Sequence, residues 1–389
     1  MKKKILFIIE SLKCGGAEKS LVSLLPLLDT SKYEIYLWIM YRGGVFEKLL
    51  PQNIHLIQFD LYKHNSIEEN LFYFLCKIKY SIVCRLNKYF RIKRHNAEIL
   101  WDCMYSAYRK QSDIYDVAIA YQQGLPTYLL KDHIIAKKKI AWINADIFSV
   151  GYNKQVNYDT YKRYNYLVTV SDILKNKLKQ QWPDLGTKIY TIYDIINPNI
   201  IRSLAQKEIT EIFPHTSLSL LTVGRLVKPK GYDLLLQAAS ILKNRNIQFT
   251  WYIIGEGPEK TFIEHEIQIN DLKNYVFLLG LKENPFPYMK TCDIYVQTSK
   301  FEGFGMTIAE AKVLNKPIIS TNYPVIYNIL QDKVNGLIVD MTGEALANGI
   351  QFLSRNQDLK EFLIKNLQNE ENITYKTEYL KLEYLLDEN

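Results

Sequence analysis

The sequence predicts an α/β protein built from two doubly wound parallel sheets, and three observations carry that expectation. A chain of 389 residues exceeds what one hydrophobic core comfortably serves, so two domains are the default. Short apolar runs of strand length alternate with longer helical patterns from end to end, as they do in parallel α/β sheets. A polar stretch over 197–217, with Pro198 and Pro214, divides that alternation into two sets. With 48% hydrophobic and 23% charged residues, the composition is that of a folded chain and speaks against disorder.

Ile5–Ile9 reads as the first buried strand: its apolar run is interrupted by Glu10, too soon for a signal-peptide core. A helix is expected over 17–28 and a strand over 34–40, followed by strands at 117–120, 139–143 and 167–170. The second set places strands at 218–223, 250–254, 276–279, 294–297 and 317–320. The expected domains are residues 1–197 and 198–371, with 372–389 as a terminal segment. No run of about eighteen apolar residues occurs, so no membrane span is expected. Cys14, Cys76, Cys84, Cys103 and Cys292 are scattered without a CxxC pair. That disfavours a disulfide framework or zinc site and fits a reducing cytoplasm.

Charge divides unevenly. Residues 1–197 carry 29 Lys and Arg against 18 Asp and Glu, whereas residues 198–389 carry 20 against 23. The first half is therefore expected to face an anionic partner, nucleic acid or anionic lipid on this ground alone. Residues 61–112 interrupt the strand–helix alternation and are aromatic and basic. Ile82 to Arg94 suits a helix with Ile82, Leu86 and Phe90 on one side and cations beside them. Such a helix either packs its apolar side on the sheet or lies at a membrane surface.

The strongest chemical signal is Ser299-Lys-Phe-Glu302-Gly-Phe-Gly-Met-Thr-Ile-Ala-Glu310, which follows a strand and opens a helix. A glycine turn at a helix N-terminus offers unpaired N–H groups and a positive dipole end to a phosphate. Glu302 stands on that loop. Glu310 stands about one turn into the helix, where a carboxylate can accept hydrogen bonds from a ribose diol. Thr307-Ile-Ala-Glu310 also matches a capping box, in which case Glu310 merely ties off its own helix. The second signal is Val223-Gly224-Arg225, followed by Lys230-Gly231: a strand ends in glycine and two cations follow five residues apart, a fork and a point charge suited to a diphosphate. Ile254-Gly-Glu-Gly-Pro258 is too short for a dinucleotide fingerprint and reads as structural. Cys14-Gly15-Gly16-Ala-Glu18 is either a tight turn or a place where a phosphate or acceptor approaches.

In this order and at these separations, the four segments resemble family 4 of the retaining glycosyltransferases, of bacterial surface-polysaccharide type, over nearly the whole chain; Glu302 and Glu310 stand at the spacing of its EX7E motif. The resemblance implies the GT-B fold, two Rossmann-like domains facing a cleft, with the final helix around 372–386 returning to the first domain. It implies that Arg225 and Lys230 neutralise the donor diphosphate and that Glu302 contacts the transferred sugar. Phe304, Gly305, Met306 and Thr307 would offer backbone amides, Glu310 would bind ribose, Leu281 and Lys282 would lie by the nucleobase, and Gly16 would belong to the donor site. On the acceptor side stand Gly15, Asn144 and Asp146. Asn144 occupies a position where the family often carries histidine, and asparagine can hydrogen-bond but cannot shuttle a proton. Asp146 either orients the acceptor hydroxyl or caps a helix.

The expected reaction moves a hexose from a nucleotide diphosphate sugar, UDP by family precedent, to a glycan or lipid-linked oligosaccharide. The departing phosphate oxygen takes the acceptor proton on the same face, so no protein base is assigned. The sequence holds no Asp-x-Asp and no histidine pair at ligand spacing; cations and a helix N-terminus would stand in for a metal, and no cofactor is expected. The rivals are an epimerase or phosphorylase-like activity on the same fold, and a non-catalytic lipid-binding or nucleic-acid-binding module. The basic residues do not cluster as a nucleic-acid module, which leaves an anionic membrane surface as the macroscopic partner. The expected location is the cytoplasm, peripheral on the inner face of the cell membrane.

Overall fold

The computed structural model describes residues 2–13, 15–57, 62, 66–90, 94–209, 218–370 and 374–388. Cys14, Arg91, Pro214 and residues 372–373 lie outside the described residues. The chain divides into two compact units, Met1–Ile195 together with Lys376–Asn389, and Ile196–Tyr375.

In the first unit the strands are β1 (Lys3–Ser11), β2 (Tyr33–Tyr41), β3 (His55–Ile57), β4 (Ile114–Ala120), β5 (Ile135–Ile143), β6 (Tyr166–Thr169) and β7 (Ile189–Thr191). They form one sheet of order β3-β2-β1-β4-β5-β6-β7, parallel throughout. Ile5–Ile9 are fully buried, as a parallel strand covered on both faces requires. The connecting helices are α1 (Gly16–Leu24), α2 (Ile67–Tyr89), α3 (Asn96–Met104), α4 (Leu125–His133), α5 (Lys154–Tyr161) and α6 (Asp172–Gln181). The strand order reverses between β1 and β4, so the loops after these two strands flank a switch point, where doubly wound sheets place ligands.

The second unit contains α7 (Pro198–Leu204), β8 (Leu218–Val223), α8 (Tyr232–Asn244), β9 (Phe249–Ile254), α9 (Lys260–Ile269), β10 (Val276–Gly280), α10 (Phe286–Thr291) and β11 (Ile294–Gln297). It continues with α11 (Met306–Val313), β12 (Ile318–Thr321), β13 (Leu337–Val339), α12 (Gly343–Arg355) and α13 (Gln357–Asn369). The sheet order is β10-β9-β8-β11-β12-β13, again parallel, with its reversal between β8 and β11. Trp251 is buried at its centre and donates to Thr222 Oγ1 at 3.0 Å. Every strand expected from the sequence is present. The additions, β3, β7 and β13, span three residues each.

The last helix, α14 (Thr374–Asp387), is held in the first unit by polar contacts. Lys3 Nζ donates to Leu386 O at 3.1 Å, Lys32 pairs with Glu383 at 2.9 Å, and Tyr193 N donates to Glu378 Oε2 at 2.9 Å.

The insertion after β3 departs from expectation. α2 is a single helix of 23 residues, opened by Ser66 Oγ accepting from Glu69 N at 3.1 Å. Tyr73, Tyr80, Val83 and Cys84 pack against the first core, not Ile82, Leu86 and Phe90, which are exposed. The alternative in which these three residues cover the sheet is thereby corrected: the opposite face of the helix does so. Arg94 pairs with Asp102 and lies 3.9 Å from Glu98, so this cation turns back toward α3.

Candidate functional site

In the second unit the polar residues converge on the switch point between β8 and β11. Beyond β8, Gly224 leads to Arg225 and then to a short turn ending at Lys230. Gly231 follows with φ +67°, and a Cβ there would lie 1.9 Å from Thr298 O. Only glycine permits that approach, which brings the turn against the end of β11; Thr298 Oγ1 donates to Lys230 O at 2.8 Å and seals it. The stem of Lys230 lies over Gly224, 3.5 Å from where a Cβ would stand, and Tyr232 donates to Gly224 O at 2.9 Å.

So held, Lys230 Nζ donates to Glu302 Oε1 at 2.6 Å. The same oxygen accepts from Gln297 Nε2 at 2.8 Å and Ser299 Oγ at 2.6 Å. Tyr295 donates to Gln297 Oε1 at 2.8 Å and Thr307 Oγ1 to the same atom at 3.2 Å, so the amide is oriented with its NH2 toward Glu302. Burial first, then the charges of Glu310 and Glu302, keep the Tyr295 phenol protonated well above its ordinary value, although the hydrogen bond with Thr307 pulls the other way. An ammonium has three N–H donors. Among the described residues Glu302 is the side-chain acceptor of Lys230, which leaves donors for a ligand. Arg225 is exposed and makes no ion pair among the described residues. Its guanidinium fork is available.

Gly305 caps α11 from a positive φ of +108°, with no side-chain cap. The helix begins at Met306, so Thr307 lies inside the first turn and cannot be the cap. The capping-box alternative for Glu310 is therefore overturned: Thr307 serves Gln297 instead. Glu310 is 1% exposed, on the same helix whose leading amides belong to Met306 and Thr307. Phe304 packs half-buried against the neighbouring core.

Leu281 and Lys282 reach this sheet edge through a row of glycines. A Cβ at Gly255 would lie 1.9 Å from Gly224 O, and Gly255 N donates to Gly280 O at 2.9 Å. Leu281 is exposed, and Lys282 Nζ lies 5.6 Å from the Tyr288 ring centroid.

The first unit presents a different chemistry. α1 starts at Gly16 with Gly15 as its cap, and Glu18 Oε2 lies 2.2 Å from where a Cβ on Gly15 would stand. Burial, then Glu18, raises the pKa of Glu10; a backbone hydrogen bond from Leu125 opposes them. A carboxylate thus stands against Gly15, which suits a hydroxyl group better than a phosphate. Asn144 follows β5, its backbone N donating to Gln123 Oε1 at 2.9 Å. Its side-chain Oδ1 and Nδ2 are buried without a hydrogen-bond partner among the described residues, as is Gln122 Oε1 after β4. Asp146 accepts from Phe148 N at 3.1 Å and Ser149 N at 3.3 Å, and also binds Ser149 Oγ and Lys177 Nζ. Burial raises its pKa, but the bonds from Lys177 and Ser149 outweigh this and hold the carboxyl below its usual range. Asp146 thus ties the turn that presents Asn144.

Residues that sequence reasoning missed are Gln297 and Ser299 beside Glu302, and Gln123 beside Asn144. Their only signal was position, at the carboxyl ends of parallel strands next to a switch point.

Residues 206–370 match the family model described as glycosyl transferases group 1. A Campylobacter jejuni relative, N-acetylgalactosamine-N,N'-diacetylbacillosaminyl-diphospho-undecaprenol 4-alpha-N-acetylgalactosaminyltransferase, is 25% identical over 92% of this chain and 92% of its own length. The O-antigen biosynthesis glycosyltransferase WclY of Escherichia coli is 23% identical over 77% of this chain and 71% of its own. Among solved structures, Anabaena HepE in complex with UDP and glucose aligns with a TM-score of 0.73 at 17% identity, covering both chains completely. TarM aligns with a TM-score of 0.72 at 14% identity, over 100% of this chain and 99% of its own. Two Rossmann-like parallel sheets of this kind are the GT-B fold.

Proposed function

From the match of residues 206–370 to the glycosyl transferases group 1 model, we propose that the chain is a metal-independent, retaining hexosyltransferase. Its donor is a UDP-sugar, and its acceptor is a glycan or lipid-linked oligosaccharide in bacterial surface polysaccharide synthesis. It acts in the cytoplasm, at the inner face of the cell membrane. The observation that supports this reading best is the Lys230–Glu302 pair at 2.6 Å, in the same unit as the exposed Arg225 and a helix start that has no side-chain cap.

Cleaving the anomeric bond leaves extra charge on the departing diphosphate. The remaining N–H donors of Lys230, the Arg225 fork and the amides of Gly305 to Thr307 meet that charge. Groups fixed in advance need little reorganisation as it develops, which is usually the largest catalytic contribution. Lys230 also positions Glu302, whose second oxygen then faces the transferred sugar; Glu310 takes the ribose diol, and Leu281 and Lys282 flank the base. On the acceptor side Asn144 supplies a donor and an acceptor to a hydroxyl, with Gly15 giving close approach. The departing phosphate oxygen removes the acceptor proton.

The test is release of nucleotide from a panel of UDP- and GDP-sugars, with and without EDTA. UDP release that survives chelation is expected. No release from any donor, or loss on chelation with recovery in magnesium or manganese, contradicts the reading.

A further inference from the structure

α2 has two apolar faces, and among the described residues only one of them is covered. Leu71, Phe74, Leu75, Ile78, Ile82 and Leu86 recur at helical spacing and fall on one side of the helix. Each is between 41% and 58% exposed. The stripe runs about 22 Å along the axis. Tyr73, Cys76, Tyr80 and Val83, on the opposite side, are the ones that meet the core. A helix needs one apolar stripe to dock on its own domain; the second stripe has no partner among the described residues.

Charge selects what covers it. After the first turn, which holds Glu68 and Glu69, α2 carries Lys77, Lys79, Arg85 and Lys88 and no acid. All four are exposed and make no ion pair among the described residues. Arg85 falls within the stripe, Lys77 and Lys88 on one flank, Lys79 on the other. A second copy packed in parallel along this face would set cations against cations, and an antiparallel one would bring only Glu68 and Glu69 to answer four cations. A layer of anionic headgroups over an apolar interior answers both features at once, the long cationic stems reaching out to the phosphates while the stripe enters the acyl boundary. No helix among the described residues is long and apolar enough to cross a membrane, so the contact is in the plane of the surface.

We propose that α2 is an interfacial helix that docks the first unit on an anionic lipid bilayer, and that apolar insertion of its outer stripe contributes more than charge does. The inference extends the membrane side of the function proposed above and rests on it only for that location. Vesicle binding and donor hydrolysis are separate measurements, so either idea can fail while the other stands.

The experiment is co-sedimentation of the full chain with vesicles of phosphatidylcholine alone or mixed with phosphatidylglycerol, at low and high salt. The wild-type chain should bind the anionic vesicles, and high salt should weaken but not abolish binding. The triple variant Leu71→Gln, Ile78→Gln, Ile82→Gln should lose partitioning by about a hundredfold, because three large apolar groups no longer enter the lipid. Replacing Lys77, Lys79 and Lys88 with alanine should cost less. The glutamines point outward, so melting temperature and donor hydrolysis should hold. Failure of the wild-type chain to bind anionic vesicles, or loss of binding in high salt with full binding by the apolar variant, overturns the proposal. So does a lipid-free dimer that the glutamines dissolve, since the stripe would then belong to a second copy.

Discussion

At the end of β11, one carboxylate oxygen of Glu302 accepts from Lys230, Gln297 and Ser299; at the end of β5, the amide of Asn144 is buried with neither of its side-chain polar atoms bonded among the described residues. Both residues follow a parallel strand near a switch point. The contrast lies in what each site holds before a ligand arrives. A buried polar group left unmade costs about 1–3 kcal/mol, so on the proposed reading the Asn144 amide is where an acceptor hydroxyl gains most by binding. The second unit carries no such cost at Glu302, where geometry is fixed in advance. On the proposed reading the two conditions divide the work: rigid charge where the diphosphate departs, and unmet hydrogen bonds where acceptors enter and leave.

The largest effect should come from breaking the rigid side. Lys230→Ala should lower transfer about a hundredfold or more, the scale of losing one preorganised donor at a developing charge. It should also reduce melting temperature slightly, since Glu302 loses its cation. Arg225→Ala should match it in turnover without the loss of stability, because Arg225 is exposed and makes no ion pair among the described residues. Near-normal turnover in both variants would falsify the donor-site assignment.

Glu310→Gln sharpens the same side. With α11 capped by Gly305 and not by Thr307, the substitution removes no cap, so melting temperature should barely move. Losing a charged acceptor to the ribose diol should weaken UDP affinity about tenfold or somewhat more, on the scale of hydrogen bonds to charged groups. Calorimetry of UDP binding checks it; unchanged affinity with a large drop in stability would assign Glu310 a purely structural role.

Sequence and structure agree where periodicity or glycine chemistry is strong. The long strands, the Lys230-Gly231 turn and the loop carrying Glu302 were legible because each has a physical requirement written in residue type. Gln297 and Ser299 were not, since short polar residues at a strand end look like any loop until the neighbouring strand brings a lysine to them. The Thr307–Glu310 spacing misled because a capping box presumes where the helix starts, and the positive φ of Gly305 moves that start upstream. α2 misled for another reason: both of its faces are apolar, and a period near 3.6 cannot say which one the core takes. The strands β3, β7 and β13 were too short to show a period at all.

On the unmet side, Asn144→Ala should raise the acceptor KM about tenfold, the upper range of one or two net hydrogen bonds, and leave donor hydrolysis unchanged. Donor hydrolysis falling in step with transfer would place Asn144 against the donor sugar instead, and the contrast between the units would weaken.

The smallest expected effect on turnover comes from Asp194, which stands near the acids of the first unit and contributes through stability. Burial pushes its pKa up to about 7; a hydrogen bond from Ser20 opposes this and the charge of Glu18 adds to it. From the ordinary value of 3.8 to about 7, the folded chain therefore keeps a proton that the unfolded chain has released. Stability contributed by this group is fullest below the lower value and is lost as pH rises toward the upper one, at up to about 1.4 kcal/mol per unit. Asp194→Asn cannot ionise and escapes that loss. Its melting temperature should exceed that of the wild-type chain at pH 8 by several degrees, with the gap closing toward pH 4, while kcat stays within about twofold because the proposed chemistry draws no proton from this group. A gap that is flat with pH, or that widens in acid, would mean Asp194 is ionised in the folded chain.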